Sequence, residues 1–119
     1  MLSKKNRVSR KEIGEIFKFG RVVYSSNFFL KYVVNKGSKT PKVSFSAPKS
    51  VSNKAHKRNM LRRIGYDSIK DKINSLPDGF IGVFVFNKKS ILGKAEEKIK
   101  KTVLFSQINK EIKDILAKL

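Results

Sequence analysis

Residues 49–66 read K-S-V-S-N-K-A-H-K-R-N-M-L-R-R-I-G-Y, and the rest of the chain can be read outward from them. The stretch holds six Lys or Arg and no acid. Ser52 or Asn53 offers a short side-chain oxygen that can accept a free backbone N–H, which is how a helix N-terminus is capped. A helix is expected from Asn53 to about Asn74. Lys54, Arg58 and Arg62 recur at every fourth residue and stack along one face of it. Asn59, Arg63 and Tyr66 lie beside that row, with Met60, Leu61 and Ile64 on the opposite side. Guanidinium groups in register match a row of phosphates, because each planar fork can donate two hydrogen bonds to one of them. A run of charge on a helix is often no more than a solvated face. Two features weigh against that here. No acid relieves the repulsion between like charges one turn apart, and the acid-free zone runs far beyond the helix. The pattern has one flaw. At about 100° per residue, Ile69 and Ile73 fall on the side of Arg58 and Arg62. Either the helix bends near Gly65, or its second half packs through a different face.

On the N-terminal side, Lys42 to Ala47 alternates as a strand, with Val43 and Phe45 on one face and Ser44 and Ser46 on the other. Small hydroxyl residues on an open sheet face leave room for a ligand's backbone; they fit a face partly covered by a helix at least as well. Lys36 to Pro41 is a turn or loop. Asn27 to Asn35 is a second strand, rich in aromatic and β-branched residues. Its faces divide into Phe28, Leu30, Tyr32, Val34 and Phe29, Lys31, Val33. A Lys among apolar neighbours marks a face that meets a helix over one part and something anionic over another. Arg21 to Tyr24 is a candidate short strand. Ser9 can cap a helix from Arg10 to about Phe19, with Glu12 in its first turn and Gly20 as the natural C-cap. Ile13, Ile16 and Phe17 give that helix an apolar side. Residues 1–7 are polar and basic and are expected to be loosely ordered.

On the C-terminal side, Pro77-Asp78-Gly79 is a turn. Phe80 to Phe86, F-I-G-V-F-V-F, reads as a strand buried on both faces, with Gly82 admitting a neighbouring backbone closely. Ala95, Ile99, Val103, Ile108, Ile112, Ile115, Leu116 and Leu119 recur at helical spacing. One long helix and two helices broken near Ser106 both fit. This segment holds four of the nine acids and reads as scaffold facing away from a polyanion.

The 119 residues are enough for one domain with a modest core, residues 1–119 forming a single unit. The formal net charge is +19. From Ile16 through Tyr66 there are twelve Lys or Arg and no acid. So large a charge repels itself in a compact fold and calls for a polyanion. No apolar run can span a bilayer, no signal-like hydrophobic region follows the N-terminus, and the charge is not confined to one amphipathic helix. Nucleic acid is therefore preferred to a membrane. With no Cys there is no disulfide framework and no thiolate metal site, which fits a cytoplasmic protein. No catalytic constellation is visible. The single His, His56, lies beside Lys57 with no carboxylate to orient it as a base. No carboxylates cluster as a two-metal nuclease would need, and no glycine loop cradles phosphate.

The central stretch resembles the signature of the bacterial ribonuclease P protein subunit. That signature is a Lys, an Ala, two residues, Arg-Asn, two residues and a basic pair, here Lys49, Ala55, Arg58, Asn59, Arg62 and Arg63. The family usually closes on Lys-Arg with a further Arg three residues on; this chain has Arg62-Arg63 and Tyr66, preceded by Gly65. The resemblance extends from about Asn6 onward. It implies a small α+β fold, a single-domain α/β sandwich of order α-β-β-α-β-α with an extra strand allowed at 21–24. The basic helix would join two parallel strands, by a left-handed crossover where general chirality favours the right-handed one.

The resemblance also implies a function. The protein would bind ribonuclease P RNA and the 5′ leader of precursor tRNA, one monomeric copy per particle, while the RNA subunit uses Mg²⁺ for the cleavage and the protein binds no cofactor of its own. The ribozyme-facing residues would be Lys49, Lys54, His56, Lys57, Arg58, Asn59, Arg62 and Arg63. The leader cleft would take Phe17, Phe29, Lys31, Ser44 and Ser46, with Phe17 and Phe29 equally able to be core, and Phe17 more readily so. Two rival readings are a ribosomal or other structured-RNA-binding protein without a role in tRNA processing, and a DNA reader laying its basic helix in a major groove.

Overall fold

Strand alternation sets the architecture. In the computed structural model, which describes residues 6–25, 27–34, 40–49, 54–86 and 101–118 (backbone alone for 101–104), four strands form one mixed sheet. They are β1 (Arg21–Tyr24), β2 (Phe28–Val34), β3 (Lys42–Ser46) and β4 (Phe80–Phe86), in spatial order β1-β2-β4-β3. β2 pairs antiparallel with β1 and β4, and β3 runs parallel to β4. The helices are α1 (Arg10–Phe19), α2 (Ala55–Lys70) and α3 (Lys101–Ala117), so the order is α-β-β-β-α-β-α. The candidate strand at 21–24 is real, and α2 lies between the parallel pair β3 and β4.

β4 is apolar on both faces because both faces are covered. Phe28, Leu30, Val43, Phe45, Phe80, Phe84 and Phe86 meet Leu61, Ile64 and Ile69 of α2 and Ile108, Ile112 and Ile115 of α3 in the main core. On the other face Ile81 and Val83 pack with Ile16 of α1. Gly82 sits between the Phe80 ring and the Leu30 side chain, so its missing side chain makes room for side chains and not for a backbone.

The N-terminal helix forms as its residues dictate. The Ser9 hydroxyl accepts the Glu12 N–H while the Glu12 carboxylate accepts the Ser9 N–H, a complete capping box. Gly20 ends the helix in extended rather than left-handed backbone, its N–H donating to the Ile16 carbonyl at 2.7 Å. Residues 1–5 of the segment expected to be loosely ordered lie outside the described residues. Asn6 is tied down, its side-chain amide donating to the Pro41 carbonyl at 2.8 Å.

The basic helix is shorter than the expected 53–74. It runs from Ala55 to Lys70, and the chain then tightens into a 3-10 turn at Ile73–Ser75 before Pro77, whose ring disfavours helical backbone just ahead of it. Lys54 is the N-cap and makes no side-chain cap; Ser52 and Asn53 lie outside the described residues. The flaw in its pattern has a simple solution. The helix is continuous through Gly65, and Arg58, Arg62, Gly65 and Ile69 share one side. The charged N-terminal part of that row sits at the margin of the sheet, the C-terminal part lies on it, and Ile73 has already left the helix. α3 runs unbroken past Ser106, which resolves the C-terminal alternatives over 101–117; Ala95 and Ile99 lie outside the described residues.

Candidate nucleic-acid interface

The first cationic surface lies around the N-terminal half of α2, with His56, Asn59 and Arg63 on its outer side, Arg58 and Arg62 on the side of Gly65 and Ile69, Lys54 as its N-cap and Lys49 in the turn after β3. Lys49, Lys54, His56, Asn59 and Arg63 are exposed, and Lys57, Arg58 and Arg62 are half-buried. The Arg62 guanidinium donates to the Asn59 side-chain carbonyl, which leaves the Asn59 amide N–H groups outward. Asp67 lines the same shallow cleft as His56, with no hydrogen bond joining them. Tyr66, standing where the family signature has an Arg, turns inward. Its hydroxyl accepts the Phe45 N–H at 3.2 Å and its ring meets the Phe45 ring edge-on at 5.1 Å. It thus satisfies a backbone donor on the open edge of β3.

The second surface is the sheet face under α1. Register across the sheet aligns Tyr24, Phe29, Val85 and Ser46 in one row, and Val22, Lys31, Val83 and Ser44 in the next. A third row, Val33, Ile81 and Lys42, lies beneath α1. There the Lys42 ammonium pairs with Glu12 at 3.1 Å. α1 leaves the first row and the ends of the second uncovered. Phe29 and Lys31 on β2 and Ser44 and Ser46 on β3 are half-buried, the two pairs separated by Val83 and Val85 of β4. Phe17 forms the rim and is 44% exposed, so it is not core. Ile16 takes the inward position, and the next residue on a helix points about 100° away. The Lys31 ammonium lies 5.2 Å from the Phe17 ring centroid and donates to the Phe17 carbonyl at 3.4 Å.

Burial alone would raise the Glu12 pKa, but hydrogen bonds from the Ser9 N–H, the Lys42 ammonium and the Ser9 hydroxyl, with the charge of Lys42, outweigh it and hold the carboxyl below its ordinary value. Glu111 of α3 is buried and faces the β1–β2 connection. It accepts from the Ser25 hydroxyl at 2.7 Å, the Asn27 N–H at 2.9 Å and the Asn27 side-chain amide at 2.7 Å. Sequence reasoning missed Glu111, Val22 and Tyr24. The alternation of Val22 and Tyr24 with Arg21 and Val23 was a signal for the last two; nothing local marks Glu111. Among the described residues no three His, Asp or Glu side chains gather as a metal site. No helix among them is long and apolar enough to cross a membrane.

A four-stranded sheet with a basic helix on one side, an open aromatic and cationic floor on the other, and no cluster of catalytic side chains among the described residues defines a polyanion-binding α+β protein. The family model described as Ribonuclease P matches residues 2–119, and the chain belongs to that family, the protein subunit of the tRNA-processing ribonuclease P. The fold is similar to that of the RNase P protein from Thermotoga maritima (TM-score 0.77, 22% identity, 95% of this chain and 96% of that one). It is also similar to that of the Staphylococcus aureus RNase P protein (TM-score 0.74, 17% identity, 94% and 93%). No curated protein sequence matches the chain. Family membership sets aside the two rival readings and gives ribonuclease P RNA and precursor tRNA as the general partners.

Proposed function

We propose that the two surfaces divide the work of the subunit. The cationic surface around the N-terminal half of α2, with Lys49, Lys54, His56, Lys57, Arg58, Asn59, Arg62 and Arg63, docks on ribonuclease P RNA. The floor formed by Phe29, Lys31, Ser44 and Ser46, with Phe17 at its rim, holds the 5′ leader. The RNA subunit carries out the Mg²⁺-dependent cleavage. The protein neutralises phosphates that would otherwise repel one another, as one copy per particle in the cytoplasm. One observation supports this reading: α2 and α3 cover one face of the sheet, whereas among the described elements only α1 packs on the other, where Phe29 and Lys31 on β2, with Phe17 above them, and Ser44 and Ser46 on β3 remain half-buried or exposed. Bases stacked on rings are held with little regard to sequence, as a subunit serving many leaders requires.

Paired titrations test it. Arg63→Ala should weaken assembly with the RNA subunit whatever precursor is offered. Lys31→Ala should leave assembly unchanged and weaken only precursors whose leader reaches the groove, by about 1 kcal/mol for one ammonium–phosphate contact. Equal weakening of long and very short leaders by Lys31→Ala, or normal assembly of Arg63→Ala, would refute the division.

A further inference from the structure

The acid-free run that begins at Ile16 ends at Asp67. That residue is the one acid lining the shallow cleft on the outer side of α2, a hollow of about 440 Å³ bounded by His56, Asn59, Met60, Arg63, Ile64 and Asp67. At about 100° per residue, His56, Arg63 and Asp67 lie within about 40° of one line along the helix, with Asn59 on one flank and Met60 and Ile64 on the other. Asp67 is exposed. Arg63 precedes it by one turn, the spacing at which a cation and a carboxylate can meet, but in the order that the helix dipole favours less. No ion pair or side-chain hydrogen bond engages the Asp67 carboxylate among the described residues.

A surface that met phosphates alone would have no use for this carboxylate. Arg63 offers a guanidinium, and Asn59 offers its amide N–H groups, because Arg62 holds the Asn59 carbonyl. Both suit phosphate oxygens; Asp67 repels them. A carboxylate only accepts, so its partner must carry N–H or O–H groups. Half-buried Met60 gives the cleft an apolar flank for the face of a planar ring. Donors, one acceptor and an apolar flank together match the edge and face of an unpaired base. Among the four RNA bases, guanine alone presents two adjacent N–H donors on one edge, at N1 and N2, spaced for the two oxygens of a carboxylate. Its O6 acceptor lies beside them, where a guanidinium can donate.

We propose that Asp67 reads an unpaired guanine of ribonuclease P RNA. Its carboxylate accepts N1–H and N2–H, Arg63 donates to O6, and the ring lies against Met60. About 12 Å of helix separates Asn59 from Asp67, more than one base spans, so Asn59 meets the adjoining backbone. An adenine in the same place would aim the lone pair of its N1 at the carboxylate, and a buried group left unpaired is what makes such a site selective. The assignment rests on reading this surface as the one that docks on the RNA subunit. It adds a sequence preference that contacts with phosphates do not supply.

The test uses the full-length protein assembled on a bacterial ribonuclease P RNA. A vicinal dicarbonyl reagent bonds to N1 and N2 of unpaired guanine, the atoms assigned to the carboxylate, so a guanine held by Asp67 is protected from it. Asp67→Ala and Asp67→Asn should expose one such guanine and leave the remaining protections in place. Asp71→Ala, the same change of charge one turn on and outside the cleft, should leave it protected. Replacing that guanine by adenine in the RNA should weaken assembly of the unmodified protein about tenfold, and should weaken Asp67→Ala no further than the variant's own loss. Asp67 is exposed, so its truncation opens no core, and a thermal melt verifies that each variant is folded. The absence of any guanine that depends on Asp67 overturns the proposal. So does tighter assembly of Asp67→Ala at low salt, the behaviour of a carboxylate that does no more than repel phosphates. Arg63→Ala, run in parallel, separates the two readings. If it fails to assemble while no guanine depends on Asp67, the docking reading stands and the guanine site falls. If it assembles normally and no guanine depends on Asp67, both fall.

Discussion

At the scale of single residues, the tightest constraint is the approach of α2 to the sheet at Gly65. A Cβ there would lie 2.4 Å from the Phe45 ring. That ring cannot easily yield, being stacked on Phe84 at 4.7 Å and held on its other side by Tyr66. Helix propensity alone would make Gly65→Ala stabilising by about 1 kcal/mol. Overpacking should prevail, and urea denaturation should show a net loss of about 1–3 kcal/mol; a gain would mean that the contact is loose. Tyr66→Phe keeps the ring and removes the acceptor of the Phe45 N–H, at a cost of about 1 kcal/mol. Glu12 carries a pH signature. Its folded pKa lies below 4.5, so its contribution is present above that value and is lost as pH falls through the folded pKa. The stability difference between the unmodified protein and Glu12→Gln should be no more than about 1 kcal/mol at neutral pH, because the pair is partly solvated. It should vanish in acid, and a difference independent of pH would exclude the Lys42 pairing as its source.

At the scale of elements, Glu111 fastens α3 to the β1–β2 connection, and that connection presents Tyr24 and leads into Phe29. Glu111→Ala removes the acceptor of the Ser25 hydroxyl and of two Asn27 donors and should cost about 2–3 kcal/mol. Amide exchange should accelerate first in β1 and the start of β2, with Glu111→Gln intermediate; uniform acceleration across the sheet would mean that the contact is not local. How far the chain could be read in advance follows from the range of the forces involved. The capping box at Ser9 and Glu12, the alternation of Phe28, Leu30 and Tyr32, and the doubly buried run at Phe80–Phe86 are local patterns, and each appears in the fold. The basic row at Arg58 and Arg62 and the cation at Lys31 were also legible, because charge has few uses in a sheet face. What escaped depends on pairing between distant segments. Phe17 turns outward because Ile16 docks on Ile81 and Val83, far along the chain. Glu111 meets Asn27 across eighty-four positions. β1 starts opposite Tyr32, a register that no local pattern specifies.

At the scale of the whole molecule, charge governs behaviour. RNA affinity should fall linearly in log–log form with salt, with a slope of about −0.7 to −0.9 per neutralised phosphate. Arg58→Ala or Arg62→Ala should reduce its magnitude by roughly one unit each. An unchanged slope in both variants would remove α2 from the RNA surface. The same net charge of +19 has a second effect through the outer edge of β1, which pairs with no strand among the described residues and carries exposed Val22 and Tyr24. An open edge of this kind is a template for another strand, and mutual repulsion between copies should oppose the pairing of two such edges in dilute buffer. Above about 1 M salt that repulsion reaches only some 3 Å. A high-salt wash that strips bound RNA from the protein therefore also removes its colloidal protection. Light scattering of RNA-free samples should rise with ionic strength, and Val22→Lys on that edge should suppress the rise, so low salt with a polyanion present is the storage condition expected to limit association.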